Sequence, residues 1–267
     1  VLTVFLGISV GLRYKPIMQI QVPALLCAVR PHAENGVIIR AFSAAHGLLA
    51  AYVPGGRSRR LRGALQPGNT LLLNLAQRSE GQLATASVEL MASRSALATS
   101  RAALAVLDWA TGLTASALPE GLPHPHVHDA LEALLDACAA DAPPLTLGEA
   151  LVRYELLLLA ELGFGLDLTC CAATGSRADL VYVSPRSAQA VSQAAGAPWA
   201  SRLLPLPGFL LGPVAVTPSD LSQGLTLAAH FLARHVLTGS SARLLESRAL
   251  LCRRLGAEAM DEPPPPG

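Results

Sequence analysis

Arg57, Arg59, Arg60 and Arg62 crowd into the stretch GGRSRRLR, directly after Gly55 and Gly56. Guanidinium groups this dense can neutralise successive phosphates of a nucleic acid and release its counterions. Glycine lets a backbone approach such a chain closely. Arginine's planar donor fork suits phosphate better than lysine's point charge, and Lys15 is the only lysine present. Arg30, His32 and Arg40 extend the set if their strands lie beside this loop. A charge run with no fold around it is more simply a solvated surface loop, so its setting decides the reading.

Other side chains offer less. His124, His126 and His128 alternate in HPHVH, but Pro123 and Pro125 mark a loop, and no cysteine or second histidine pair stands nearby at ligand spacing. The five cysteines include adjacent Cys170 and Cys171 and no Cys-x-x-Cys pair. No partner base identifies a thiol nucleophile, so both read as buried structural thiols in a reducing cytosol. Gly163-Phe164-Gly165 follows a helix and lacks the spacing and lysine of a phosphate loop. No hydrolase, metalloprotease or nuclease signature is found; the expectation is a protein that is not an enzyme and holds no metal or cofactor.

The charge distribution supplies the setting. Residues 1–110 hold 11 basic and 4 acidic side chains, a net of +7, while residues 111–267 hold 9 and 15, a net of −6. A basic half joined to an acidic half points to an anionic partner for the first and a separate task for the second. With 51% hydrophobic and 15% charged residues, the 267-residue chain can bury a core and is not disordered as a whole. Mean hydropathy is +0.41, yet the longest apolar stretch, residues 203–219, carries four prolines that rule out a spanning helix.

The elements that must position the arginines follow from periodicity. Residues 20–30, 36–42, 48–53, 70–77 and 83–91 read as five short strands, with a hairpin ending in Gly47 and turns at Gln66-Pro67-Gly68-Asn69 and residues 78–81. Five strands in so short a span suit a small closed barrel. The OB-fold is the common nucleic-acid-binding version, and an SH3-like barrel is its rival. The arginine-dense residues 54–63 read as a loop, and Phe42 and Tyr52 are the aromatics available for stacking. Binding should then be led by the backbone, salt-sensitive and weakly sequence-specific.

After residue 93 the period becomes helical. Helices are predicted over residues 95–109, 125–140 and 146–162, the last with Thr146 and Glu149 as a capping box and Gly163 as its stop. An irregular stretch holds a short strand at 180–183 and a turn at Ser184-Pro185. Ser219 is expected to cap a helix to about residue 237, and Ser240 or Ser241 a last one with Leu244, Leu251 and Leu255 on one face. The expectation is an α+β multidomain protein: residues 18–95 a five-stranded OB barrel that binds nucleic acid, and residues 96–258 a mainly α-helical domain. Residues 1–17 read as an upstream extension before an initiating Met18, and residues 259–267 as a disordered, proline-rich tail.

Several segments resemble the RecO family of repair proteins, especially the alphaproteobacterial type. They are Arg30-Pro31-His32-Ala33-Glu34-Asn35-Gly36 with VIIRAFS, His46-Gly47-Leu48, GGRSRRLRGALQPGN, RYELLLLAELGFGLDL from Arg153, CAATG from Cys171, YVSPRS from Tyr182 and LLPLP from Leu203. The likeness spans residues 18–256 and both halves. It implies a recombination mediator that binds single- and double-stranded DNA, anneals strands and, with RecR, helps RecA replace SSB at gaps. It further implies contact between the helical domain and the acidic C-terminal tail of SSB, and a cytoplasmic, nucleoid-associated location with no membrane contact. The rival reading is an OB-fold protein-interaction adaptor or an RNA-binding protein.

One departure stands out. Many relatives carry a four-cysteine zinc site here; Cys171 matches its first ligand, but Thr174 occupies the second position and the later pair is absent. One thiolate does not hold tetrahedral zinc, so residues 168–200 are expected to form a degenerate zinc-finger-like insert without metal.

Overall fold

A computed structural model describes residues 18–77, 81–94, 96–239 and 242–261. The extension read at residues 1–17, most of the 78–81 turn, the Ser240 or Ser241 cap and the terminal prolines lie outside the described residues.

Five strands form the first unit: β1 (Met18–His32), β2 (Gly36–Ser43), β3 (Gly47–Val53), β4 (Thr70–Gln77) and β5 (Ala84–Ala92). They close as a barrel in the order β1-β2-β3-β5-β4. β1 serves two neighbours, pairing with β4 through its first half and with β2 through its second. A register shift between Leu26 and Ala28 bends it between them. β3 and β5 run parallel and share only the pairs Ala51–Ala84 and Tyr52–Thr85. This order and the short parallel seam are those of an OB-fold, and the SH3-like alternative falls. Alternate residues such as Val22, Ile39 and Leu73 fill the barrel.

The stretch read as a loop at residues 54–63 contains a one-turn helix, α1 (Arg59–Arg62), which starts after Ser58, whose carbonyl accepts from the Leu61 and Arg62 amides. Leu61 and Ala64 pack on the barrel core and Leu65 is buried in it. The apolar positions between the arginines make a plug for the barrel end, which a reading weighted by charge overlooks.

The second unit holds α2 (Arg101–Ala117), α3 (Pro125–Ala139) and α4 (Pro144–Glu161). A small sheet follows, with β6 (Leu180–Val183), β7 (Ala190–Ser192) and β8 (Leu204–Pro205) in the order β7-β6-β8. The short α5 (Gln193–Gly196) lies between β7 and β8, and α6 (Pro218–His235) and α7 (Ala242–Asp261) complete the chain. No helix among the described residues is long and apolar enough to cross a membrane.

Helix starts differ from expectation for local reasons. α2 begins at Arg101, not near residue 95, because Ser100 accepts from the Ala103 amide. The Asp141 carboxylate also accepts from the Thr99 hydroxyl and from the Thr99 and Ser100 amides, and these bonds, the hydroxyl's foremost, hold Asp141 below its usual carboxylate value. α4 begins at Pro144, whose fixed φ and missing N–H favour a first helical position; Thr146 lies inside the helix and caps nothing. α6 is capped by Thr217, not Ser219, in a reciprocal box with Asp220. Gly163, at φ +88°, does end α4, with the Phe164 amide donating to the Leu159 carbonyl at 2.8 Å.

The units dock through the outer barrel face. Leu25, Phe42 and Leu48 are buried in the core of the helical unit. Phe42, expected to be open for base stacking, is fully covered and meets His128 edge-on at 5.4 Å. At the exit from β5, the buried Arg94 donates to Asp136, to Glu132 at 3.1 Å and to Thr70 Oγ1 at 2.5 Å. It thus clasps α3 to β4. We predict that Arg94→Ala lowers stability by about 2 kcal/mol, since it strips the clasp of charge-assisted bonds at a largely desolvated site. Urea unfolding checks this, and an unchanged midpoint would show the clasp to be energetically idle.

Candidate nucleic-acid interface

The outward side of β1, β2 and β3 alternates with the packed interior. Val37, Ile39 and Ala41 face inward, so Ile38 and Arg40 face out. Cross-strand pairing sets Arg30 beside Ile38, Ile38 beside Tyr52, and His32 beside Gly36. The His32 and Tyr52 rings meet edge-on at 5.8 Å. Gly36 is required there, because a Cβ would stand 2.3 Å from the Tyr52 ring. Tyr52 is therefore the barrel aromatic left for contact with a base, at the end of the face where Arg30 and His32 are exposed.

Arg57 joins this end. Its amide donates to the Asn35 carbonyl at 3.2 Å and its Nη1 to the Glu34 carbonyl at 3.0 Å, tying it to the β1–β2 turn. Arg59, Arg60 and Arg62 ride on α1, all exposed, and Arg60 lines a groove of about 770 Å³ with Gln21, Asn74, Thr85 and Ser87. The seven predicted residues thus fall into three groups: Arg30, His32 and Arg57 around one turn, Arg40 mid-strand on the same outer face, and three arginines on the plug helix. Among the described residues, only Arg40 of these seven has a carboxylate partner, Glu120 at 3.1 Å. The other six have none.

Glu120 carries no signal in the sequence. It belongs to the acidic half, eighty positions from Arg40, and only domain docking brings the two together.

The other candidate chemistry resolves differently. The histidine cluster is not a loop: His124 precedes α3, and His126 and His128 lie in its first turn after Pro125. His124 Nδ1 stands 3.3 Å from Glu161. Among the described residues no three His, Cys, Asp or Glu side chains gather as metal ligands. Cys171 is buried as expected, but Cys170 is half-exposed. The Cys171 turn closes through Gly175 N–H to the Cys171 carbonyl at 2.8 Å. Its sulfur accepts from the Ser192 amide at 3.2 Å and the Ser192 hydroxyl at 3.4 Å. Donors from Ser192 and then Thr174 hold the thiol down at about 6. Hydroxyl and amide protons thus stabilise the sulfur, and the residue in the second ligand position acts as a donor.

Comparison with known proteins agrees with this architecture. Residues 18–94 match the family described as Recombination protein O N terminal, and residues 98–241 match Recombination protein O C terminal. The chain is 46% identical to the DNA repair protein RecO of Rhodospirillum rubrum over 236 residues, 86% of this chain and 94% of that protein. It is 43% identical to DNA repair protein RecO of Caulobacter vibrioides over 238 residues, covering 88% and 96%. The RecO of Rhizobium etli is 42% identical over 221 residues, covering 82% and 85%. With both halves of the fold matched, and relatives aligned along nearly their whole length, the chain belongs to the RecO family of DNA repair proteins.

Proposed function

We propose that this protein is a non-enzymatic recombination mediator that binds single- and double-stranded DNA through its barrel, anneals complementary strands and, with RecR, helps load RecA onto SSB-coated gaps. The observation that supports it most is the set of basic side chains on the outside of a closed OB barrel, of which Arg40 alone is matched by a carboxylate among the described residues. Cations left unpaired on a small barrel serve a polyanion, whereas a merely solvated surface intersperses both signs. Arg30, His32, Arg40, Arg57, Arg59, Arg60 and Arg62 are the proposed contacts. With Tyr52 the one barrel aromatic open to a base, binding rests on phosphates and little on base identity.

On this reading residues 18–95 form the DNA-binding domain and residues 96–258 the helical domain that meets the acidic tail of SSB, in the bacterial cytoplasm at the nucleoid. Titrating fluorescent single-stranded DNA into the purified protein, with and without SSB, tests it. Binding that weakens steeply with salt, and persists when SSB coats the strand, is expected. No binding at low salt would transfer the barrel to a protein or RNA partner and leave an adaptor.

A further inference from the structure

Arg40 is half-buried on the outer barrel face, its side chain 27% exposed. Its cross-strand neighbours on the outer face are the small side chains Ala28 and Ala50. Among the described residues it has one carboxylate partner, and that partner comes from the other unit. The α2–α3 connection crosses the β2–β3 hairpin and is locked to it by backbone. Glu120 bridges to Leu48, the Gly121 amide donates to the Leu48 carbonyl at 3.0 Å, and a Cβ on Gly47 would stand 2.2 Å from the Leu122 carbonyl oxygen. These contacts hold the Glu120 carboxylate against Arg40 and on the wall of a groove of about 580 Å³ with Ala50, Gln77 and Gln82.

The pair is incomplete. Glu120 reaches only Nη2 of Arg40, through one oxygen, while Arg40 Nε is buried and has no partner. A guanidinium edge offers Nε–H and Nη2–H side by side, the arrangement that a phosphate or carboxylate takes with two oxygens. Half of that edge is used and half is left unsatisfied, a costly state for a buried donor. Glu120 itself is more than half exposed, and exposed single-contact pairs are weak. The carboxylate satisfies only part of the guanidinium edge.

We propose that Glu120 is a displaceable stand-in for a DNA phosphate at Arg40, and so sets how strongly the barrel discriminates a polyanion from an isolated anion. A phosphodiester that displaces Glu120 to solvent uncovers the guanidinium edge and takes both donors of Arg40, the unsatisfied Nε included. A lone anion gains too little from one arginine to displace it, whereas a strand held also by the arginines of α1 does. The proposal rests on the reading of the barrel as the DNA-binding unit.

The test is a double-mutant cycle read by anisotropy of a labelled thymine oligonucleotide at low and moderate salt. Glu120→Gln is expected to raise affinity ~5-fold, the size of a lost weak ion pair, and Arg40→Ala to lower it by a similar factor. The Arg40→Ala, Glu120→Gln double variant should bind like Arg40→Ala alone, and Glu246→Gln, the same charge change on the exposed face of α7, should leave affinity unchanged. An unaltered affinity for Glu120→Gln overturns the proposal while leaving DNA binding intact. So does a gain that survives in the Arg40→Ala background or appears in Glu246→Gln, because that is a general field effect. Failure of the unaltered protein to bind at low salt removes the DNA reading itself. Glu120→Ala, which should match Glu120→Gln, and melting curves of each variant separate binding from folding.

Discussion

Replacing Arg59 and Arg60 together with glutamate is expected to weaken single-stranded DNA binding by ~100-fold at low salt and to flatten the dependence of log affinity on log salt by roughly 1.4. Both side chains are exposed on α1 and neither has a carboxylate partner among the described residues. Their whole charge is available to phosphates, and reversal converts two attractions into two repulsions. The slope should fall because each lost contact no longer releases a counterion, at about 0.7 per contact on a single strand. Stability should move by no more than about 0.5 kcal/mol, since Leu61 and Leu65, which plug the barrel, are untouched. The measurement is a titration at several salt concentrations beside a thermal melt. Unchanged affinity with an unchanged slope would remove the plug helix from the binding track and leave Arg30, His32, Arg40 and Arg57 as its candidates.

The largest loss of stability is expected from Glu155→Ala. Glu155 is completely buried on α4. It accepts from Trp109 Nε1 at 2.7 Å and from Arg248 Nη2 at 3.0 Å, and Arg248 lies over the Trp109 ring at 5.5 Å. The three come from α2, α4 and α7, so one carboxylate ties three helices. Removing it strands a buried guanidinium and a buried indole N–H, a loss of about 3–5 kcal/mol, or a fall in melting temperature of roughly 10 °C for a protein of this size. Burial outweighs the pull of Arg248 and holds the carboxyl above its ordinary 4.5. Its contribution to stability is therefore fully present below that value and declines as pH rises through the raised one. Glu155→Leu with Arg248→Met should recover much of the loss, because a buried ion pair replaced by matched apolar side chains costs little. A melt of Glu155→Ala within about 2 °C of the unaltered protein would mean that the site admits water and the tie is loose.

The fold was legible wherever its cause is local. Strand alternation, the glycine turns and the helical period after residue 93 act within a few residues, and they placed all five barrel strands to within one residue, except β1, which extends two residues further at each end. Cap chemistry is also local, but several side chains compete for it: Ser100, Pro144 and Thr217 prevailed over neighbours that looked as suitable. The plug helix was hidden because its arginines dominate the composition while Leu61 does the packing.

Residue type alone determined that the chain carries a dense arginine cluster on a five-stranded barrel, a helical second unit and a threonine three positions after Cys171, since each depends on side-chain chemistry read in order. The tertiary structure decided which of those cations are free, that Phe42 is spent on domain docking, and that Glu120 faces Arg40 while Glu155 faces Arg248. Those partners stand eighty and ninety-three positions apart. No periodicity reaches that far, and the pairings exist only because the burial of Leu25, Phe42, Leu48 and Trp109 draws the two units and their helices together.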